Sequence, residues 1–341
     1  MANVKFENAL KKKAQATPPI WMMRQAGRYH RHYQALRAKH SFMELCKRPE
    51  LAAEVAFGPV DDFDFDVSIL FSDLLFPLEV LGMGLEYKET GPELGWSLDR
   101  ASLGKLARPE TAIRGLGFQA EALAQTRRRL PLEKSLIGFV GGPWTLYVYA
   151  VEGGHSGSLV RAKSQPDLYR AFGETLVPLL ERNIRLQLEA GAEVVMIFDT
   201  AAGELAPAQY REWIAKDLEG LFAKFPGRVG YYSKGTQPAH FACGWLDRPE
   251  FAGFGVDHRW DLTSVLREKR SGFVQGNFDQ SLLFLEPSAF EVTLRSYLAP
   301  IAKLTPEERA GWVCGLGHGV LPKTPEENVR NFVKIVREVF R

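Results

Sequence analysis

The sequence has little cysteine and no long apolar run. Its three cysteines, Cys46, Cys243 and Cys314, lie far apart and form no C-x-x-C pattern, which excludes a disulfide framework and favours a reducing compartment. The one long charge-free stretch, 136–151, contains Gly141-Gly142-Pro143 and falls short of the roughly 20 residues that a bilayer requires. The N-terminus has no signal-peptide core. We therefore expect a cytoplasmic protein that does not enter a membrane.

The sequence also has little net charge. Lys and Arg number 43 and Asp and Glu 41, which leaves +2, so no global field attracts nucleic acid or an anionic membrane. The runs Lys11-Lys12-Lys13 and Arg127-Arg128-Arg129 have no aromatic residues interleaved and are typical of solvated faces. Any anionic ligand must therefore be bound by local charge.

Short apolar runs that are followed by a turn and a helical pattern recur along the chain, which is typical of βαβ units. A length of 341 residues fits either two average domains or one barrel. Eight strands are predicted, at 20–23, 67–71, 136–140, 194–198, 229–232, 253–256, 273–275 and 312–314. Eight strand–helix units predict a single-domain α/β fold, a (β/α)8 TIM-type barrel over 1–341, with functional side chains where the strands end. The long connection at about 84–132 is predicted to be an elaboration with its own helix.

Two helices have clear sequence signals. Apolar residues recur every four positions from Leu168 to Leu188, and Gly191 stands where a left-handed residue would end that helix. The last helix is predicted to begin with Thr324 as its N-cap and Pro325 in its first turn. Its buried stripe is then predicted to contain Val329, Phe332, Val333 and Val336.

Arg24 and Arg28 follow the first predicted strand, four residues apart around a glycine in an otherwise apolar stretch. Guanidinium groups held against apolar walls suit the recognition of carboxylates or phosphates. The alternative is that both are surface arginines, or partners of Asp and Glu.

Asp73 is a carboxylate inside an apolar run at the end of the second predicted strand. Because an isolated buried charge is costly, this group must be paired, hydrogen-bonded or protonated. One interpretation is a helix N-cap, a role for which Ser72 competes. The other is a negative charge placed to meet N–H donors or a developing cation.

His318 lies in the sequence Gly-Leu-Gly-His-Gly after the last predicted strand. It suits a turn histidine, a general acid or base, or a hydrogen-bond partner of a substrate. The glycines resemble the start of a dinucleotide fingerprint, but Val320 stands where the third glycine belongs, so nucleotide binding is disfavoured.

A zinc site is a further hypothesis to weigh, because the chain offers imidazole and thiol groups in His240, Cys243 and Cys314. His240 and Cys243 lie three residues apart, and Cys314 falls inside the last predicted strand. Buried structural cysteines account for the same pattern, and we predict no metal.

Several blocks of the sequence, in order from residue 18 onward, closely resemble the uroporphyrinogen decarboxylase family. They are Pro-Pro-Ile-Trp-Met-Met-Arg-Gln-Ala-Gly-Arg-Tyr (18–29), Ile-Leu-Phe-Ser-Asp (69–73), Gly-Phe-Val-Gly-Gly-Pro-Trp-Thr-Leu (138–146), Val-Glu-Gly-Gly (151–154), Val-Gln-Gly-Asn-Phe-Asp (274–279) and Gly-Leu-Gly-His-Gly-Val-Leu-Pro (315–322). The arginine block is highly specific, whereas Gly-x-Gly-His-Gly alone is weak.

The resemblance implies a single-domain (β/α)8 barrel that forms a homodimer and uses neither a metal nor an organic cofactor. It implies decarboxylation of the four acetate side chains of uroporphyrinogen III to methyl groups, which yields coproporphyrinogen III in haem biosynthesis. Asp73, Arg24 and Arg28 match the family's catalytic positions. The resemblance implies that Asp73 accepts hydrogen bonds from the pyrrole N–H groups. The implied substrate-binding residues are Arg24, Gln25, Ala26, Gly27, Arg28, Asp73, Gly141, Tyr149, Thr200 and His318.

The chain departs from the family pattern at three places. Thr200 stands where Ser is common, His30-Arg31-His32 replaces Leu-Pro-Glu, and Gly315 replaces Asn. One rival function is that of a zinc-dependent corrinoid or thiol methyltransferase of the same fold, which would need a His-x-Cys pair and a distant Cys. The other is that of a non-catalytic tetrapyrrole-binding protein.

Overall fold

The computed structural model of the protein describes residues 3–88, 91–268 and 270–341. Seven parallel strands form one sheet, paired in the order β1-β4-β5-β6-β7-β8-β9. Their bounds are β1 (Val67–Ile69), β4 (Ser135–Gly141), β5 (Val195–Asp199), β6 (Val229–Ser233), β7 (Phe251–Gly255), β8 (Phe273–Phe278) and β9 (Trp312–Leu316). A separate antiparallel pair consists of β2 (Glu86–Lys88) and β3 (Gly91–Glu93). All residues of the seven parallel strands are buried, so the sheet is covered on both faces.

Helices alternate with the parallel strands and cover the outer face of the sheet. They are α1 (Val4–Leu10), α2 (Arg31–Arg37), α3 (Phe42–Lys47), α4 (Pro49–Phe63), α5 (Phe76–Leu78), α6 (Pro109–Ala112), α7 (Gly117–Arg129), α8 (Pro143–Glu152), α9 (Val160–Lys163), α10 (Pro166–Glu189), α11 (Pro207–Trp213), α12 (Ala215–Lys224), α13 (Leu262–Arg267), α14 (Pro287–Ala302) and α15 (Glu326–Val339). In the part of the chain that the structure describes, no helix has the length and apolar character needed to cross a membrane.

The eighth place in the barrel is taken by residues 19–21, which close the sheet between β9 and β1. Ile20 forms a parallel bridge with Cys314, whose backbone oxygen accepts from the Trp21 N–H at 3.1 Å. On the other side, the Asp66 N–H donates to the Ile20 carbonyl at 3.0 Å. The predicted (β/α)8 class is therefore confirmed, although the predicted first strand, 20–23, is reduced to this bridge.

The buried Asp66 carboxylate supports the closure. It accepts from the backbone N–H of Ile20 at 2.9 Å and lies 2.6 Å from the Lys5 ammonium. The segment thus receives a side-chain hydrogen bond at a place where Pro18 and Pro19, which have no N–H, cannot extend the ladder. A polar side chain completes the barrel here.

The two helices with clear sequence signals form as predicted, apart from one cap. In α10, Phe172, Leu176 and Ile184 are fully buried, and Gly191 has the left-handed φ of 110° that the C-terminal signal indicated. The predicted Thr324 cap is wrong, because that hydroxyl donates to the Leu321 carbonyl at 2.8 Å and α15 begins only at Glu326. The stripe 329–336 is nonetheless buried as expected.

The predicted elaboration at about 84–132 contains the β2–β3 pair followed by α6 and α7. Helix α7 packs against α4. The Trp96 indole donates to the Gly82 carbonyl at 3.1 Å, which joins the segment to the chain that leaves β1. This segment therefore lies beside the carboxyl end of β1, where Asp73 is found.

Candidate active site

Four of the predicted site residues converge at the carboxyl ends of the parallel strands. Arg24 follows the closing segment 19–21, Asp73 follows β1, Tyr149 lies in α8 behind β4, and His318 follows β9. Burial is the largest influence on the pKa of each of the other three groups, raising it for Asp73 and Tyr149 and lowering it for His318, and in all three the nearby charge of Arg24 acts to lower the pKa. These four predicted residues therefore lie together at the carboxyl ends of the strands, which is where functional groups collect in barrels of this type.

Asp73 lies deep in this cleft, surrounded by protein yet still partly accessible. Its Oδ1 accepts from the Leu75 N–H at 2.8 Å, which closes a turn before α5 and makes no helix cap. Ser72, the competing cap, instead accepts from the Gln119 amide at 2.8 Å. Burial raises the pKa of Asp73, while the nearby Tyr87 hydroxyl, the Leu75 N–H and Arg24 act to lower it. The free cleft therefore holds a carboxylate whose ionisation additional donors would favour.

The exposed side chain of Arg24 lies against the last loop. Its backbone is left-handed, with φ 59°, and its side chain lies on Gly319, where an added Cβ would be 2.5 Å from the Arg24 Cδ. The Val320 N–H donates to the Met23 carbonyl at 2.9 Å, which ties the two loops together. A glycine at 319 is therefore required for Arg24 to reach the cleft.

Arg28 lies apart from this group. Its side chain is exposed on the α2 side of the cleft and is near Tyr33, whose pKa it lowers against a larger rise caused by burial. Gln25 is buried, and its amide donates to the Val67 carbonyl at 3.0 Å, which holds the loop on β1. Ala26 and Gly27 form the partly buried turn between the two arginines. The arginine block therefore presents Arg24 and Arg28 to different parts of the rim.

Tyr149 and His318 each form a hydrogen bond with a neighbouring ring. The Tyr149 hydroxyl is 2.8 Å from Nδ1 of His155, and burial, followed by the charge of Asp73, raises the Tyr149 pKa. The Tyr232 hydroxyl is 2.8 Å from the Gly317 carbonyl and 3.0 Å from Nδ1 of His318. If Tyr232 donates to Gly317, His318 carries its proton on Nδ1 and leaves Nε2 as an acceptor.

His318 is held in its neutral form. Burial, followed by the charges of Arg24 and Lys234, lowers its pKa to about 3. At neutral pH it is therefore a hydrogen-bonding imidazole and supplies no imidazolium proton.

The His318 pKa predicts a change in stability with pH. As pH falls below the ordinary histidine pKa of about 6.5, the unfolded chain binds a proton that folded His318 refuses until about pH 3, so stability is lost in this window. Between pH 7 and pH 4.5, wild type should lose roughly 1–2 kcal/mol more unfolding free energy than His318→Gln, allowing for partial solvent contact. Urea unfolding at the two pH values measures this difference, and parallel losses would contradict the assignment.

The predicted positions Gly141 and Thr200 lie on either side of a buried carboxylate, Asp199. Asp199 accepts from the Thr145 N–H at 2.8 Å and the Thr145 hydroxyl at 2.6 Å, and burial raises its pKa to about 6. A Cβ at Gly142 would lie 2.3 Å from Asp199, so this glycine lets the end of β4 approach that side chain closely, whereas a Cβ at Gly141 would meet the Leu146 side chain at 2.9 Å. Thr200, partly buried, follows at the end of β5.

The residues considered for zinc do not assemble. His240 has both ring nitrogens engaged, since Nδ1 accepts from the Gln237 N–H at 3.0 Å and Nε2 is 3.0 Å from the Leu205 carbonyl. Cys314 is buried inside β9. Within residues 3–88, 91–268 and 270–341, these three groups form no cluster that could hold a metal.

Three cationic side chains at this rim lack an ion-pair partner among the described residues. Arg24, Arg28 and Lys234, which follows β6, form no ion pair with any carboxylate in the described ranges. In the sequence, the only sign that Lys234 belongs to this rim is its place shortly after the predicted strand 229–232. His155 lies in a glycine-rich loop without regular structure, where no sequence signal could have found it.

Unpaired cations around a deep carboxylate suit a ligand that carries several acidic arms and a core of N–H donors. The fold is that of a (β/α)8-barrel enzyme, a class whose ligands bind at the carboxyl ends of the strands. The family model described as uroporphyrinogen decarboxylase (URO-D) matches residues 1–339, and the chain belongs to that family.

Curated relatives of this family match the chain along nearly its whole length. A uroporphyrinogen decarboxylase of Solibacter usitatus is 35% identical, over 98% of this chain and 97% of its own. One from Thermus thermophilus is 34% identical, over 94% of both chains.

Solved structures of other proteins share the architecture. A methyltransferase from Methanosarcina mazei superimposes with a TM-score of 0.79 at 18% identity, over 99% of both chains. A putative vitamin-B12 independent methionine synthase from Listeria monocytogenes gives 0.57 at 9% identity, over 96% of this chain and 98% of its own. At such identities the likeness describes the fold alone.

Proposed function

We propose that the protein removes carbon dioxide from the four acetate arms of uroporphyrinogen III and releases coproporphyrinogen III. The observation that carries this proposal is the position of Asp73, a carboxylate deep in a cleft whose cationic side chains have no internal partners. A macrocycle with pyrrole N–H groups at its centre and eight carboxyl groups at its edge complements both features. Membership of the decarboxylase family supports the same reading.

The reaction needs a place for the electrons of the breaking C–C bond. Protonation of a pyrrole at the ring carbon next to the one that bears the acetate arm gives a cationic ring, and loss of carbon dioxide then leaves the bonding electrons in an exocyclic C=C bond that neutralises this ring. A second proton converts the exocyclic methylene carbon into the methyl group, and loss of the first proton from the ring carbon restores the aromatic pyrrole, so that each arm consumes one proton and releases one carbon dioxide. Asp73, kept ionised by the pyrrole N–H donors, stabilises the cationic ring where a low dielectric strengthens the interaction.

The remaining cleft residues bind and orient the substrate in this proposal. Arg24 and Arg28 pair with carboxylate arms, Tyr149 and Thr200 offer hydroxyl groups, and neutral His318 offers a hydrogen-bonding nitrogen. A guanidinium with a pKa above 12 is a poor acid, and His318, with its pKa lowered to about 3, carries no spare proton at neutral pH. We therefore assign proton delivery to water in the open cleft.

The proposal predicts an activity that can be followed arm by arm. Purified protein incubated anaerobically with uroporphyrinogen III should convert it through seven-, six- and five-carboxylate species to a four-carboxylate product, as resolved by chromatography after oxidation. A chelator should leave the rate unchanged, because the chemistry above uses no metal. Binding without loss of carboxylates would favour the non-catalytic rival, and metal-dependent methyl transfer would favour the methyltransferase.

We further propose that the protein acts in the cytoplasm as a homodimer. The support is the family's usual assembly and the biosynthetic setting of its reaction. Light scattering after size-exclusion chromatography should then give twice the chain mass of 38.3 kDa. A mass of one chain at assay concentration would contradict the dimer.

A further inference from the structure

Lys234 lies in the cleft but has no role in the mechanism above. It follows β6 directly, its side chain is exposed, and its ammonium makes neither an ion pair nor a hydrogen bond among the described residues. Its backbone is held in place, because an added Cβ at Gly203 would lie 2.2 Å from the Lys234 carbonyl oxygen. The Lys234 backbone is thus firmly packed, and its ammonium has no counterion among the described residues.

His155, whose side chain is exposed, lies against Tyr149 and also has no role in the proposed reaction. Its Nδ1 is 2.8 Å from the Tyr149 hydroxyl, and the two ring centroids are 5.3 Å apart. Burial, followed by the charges of Lys234 and Arg24, lowers the pKa of His155, while burial raises that of Tyr149. The protonated hydroxyl therefore donates to Nδ1 of a neutral ring, which leaves the Nε2–H of His155 free to donate.

Lys234 and His155 belong to the same part of the cleft as His318. Burial is the largest cause of the lowered His318 pKa, and Lys234 and His155, like Arg24, lower it further. Two acidic side chains lie nearby: Asp257 accepts from the Gly235 N–H at 2.6 Å and from the Arg259 guanidinium at 2.7 Å, and Glu204, whose charge acts on His155, is exposed. Neither forms an ion pair with Lys234 among the described residues, so the Lys234 ammonium is open to an acidic ligand.

We propose that Lys234 and His155 form a carboxylate-binding position for the tetrapyrrole, in addition to that of Arg24. One carboxylate arm pairs with the Lys234 ammonium and accepts the His155 Nε2–H, while His155 keeps Tyr149 oriented. The inference rests on the proposed function, since it assigns an arm of the same substrate. A lysine suits arms that differ in length, because its point charge moves on a flexible stem, whereas an arginine fork demands fixed geometry.

The test compares Lys234→Met with Lys303→Met. Methionine keeps a flexible stem and removes the charge, and Lys303 is an exposed lysine at the end of α14, on the opposite face of the barrel. Lys234→Met should raise KM for uroporphyrinogen III about tenfold, with a much smaller change in kcat, and should accumulate partly decarboxylated intermediates. Lys234→Arg, which keeps the charge but not the flexible point-charge geometry, should recover only part of the loss, and Lys303→Met should behave as wild type. A wild-type KM and product pattern for Lys234→Met would overturn the inference.

His155 is tested through its bond to Tyr149. His155→Leu and Tyr149→Phe should each raise KM several-fold, and the double variant should cost less than the product of the two effects, because one hydrogen bond links the residues. Fully multiplicative effects would remove His155 from the proposed position.

A binding measurement separates this inference from the proposed function. Anaerobic calorimetry with coproporphyrinogen III, which retains four carboxylates, reports the Lys234 contact without turnover. Affinity about tenfold weaker in Lys234→Met supports the contact even if wild type proves unable to decarboxylate. Equal affinities beside an active wild type would sink the Lys234 site and leave the proposed function standing.

Discussion

Asp73→Asn should lower kcat about 100- to 1,000-fold, the range seen when one preorganised electrostatic group is removed from a reaction centre. Asparagine keeps the size of the side chain and an oxygen that can accept the Leu75 N–H, now 2.8 Å from Oδ1. It removes the negative charge that faces the pyrrole N–H groups and the cationic ring. The loss should therefore appear in kcat measured with saturating uroporphyrinogen III.

The same substitution should leave the fold intact. Because burial raises the pKa of Asp73, the ionised group is costly to the folded state, and a neutral amide should give an equal or higher free energy of unfolding. Asp61→Asn, at an exposed site in α4, is the matched control and should retain full activity. Near-normal turnover by Asp73→Asn would remove this residue from the mechanism.

Arg24→Ala should lower kcat/KM roughly 100-fold, because the variant loses hydrogen bonds between a guanidinium and a carboxylate in a partly desolvated cleft. Arg24 lies near Asp73, Tyr149 and His318 but forms no ion pair among the described residues, so its pairing capacity is available to the substrate. The left-handed backbone adds little to the difference, since alanine meets the same conformational cost as arginine.

Three further variants sharpen the test of Arg24. Arg24→Lys should recover only part of the activity, since it restores charge without the planar fork. Arg28→Ala should weaken kcat/KM by less, because Arg28 lies outside the group around Asp73. Arg248→Ala, at an exposed turn before β7 on the opposite face of the barrel, should match wild type. Unchanged kcat/KM for Arg24→Ala would exclude it from substrate binding.

The fold was largely predictable because most strands have a local sequence signal, a short apolar run that ends in a turn. The run Val-Val-Met-Ile-Phe at 194–198 has no polar alternation, as a strand covered on both faces requires, and it forms β5 fully buried. The closing segment was predicted as strand 20–23 but forms only a bridge at Ile20. Its place depends on the Asp66 carboxylate and the edge of β9, and neither contact is visible in the local pattern.

The departures from the family pattern at His30 and His32 are likewise explained by contacts distant in sequence. His30 is buried, with Nε2 2.9 Å from Asp62 of α4, and Nε2 of His32 is 3.2 Å from the Glu54 carboxylate of the same helix. Both rings therefore hold the chain before and within α2 against α4, outside the group around Asp73. At Thr324, by contrast, the local sequence predicted a helix cap, but the hydroxyl donates to the Leu321 carbonyl and does not cap α15.

The sequence by itself determined the barrel and the positions from which Arg24, Asp73, Tyr149 and His318 meet, because apolar runs and the turns that end them are local signals. Only the tertiary structure decided which of these groups are charged and which lack partners. It turned Arg28 toward α2, held His318 neutral and placed His155 on Tyr149. Protonation and pairing depend on burial and on charges supplied by distant segments, which no local pattern specifies.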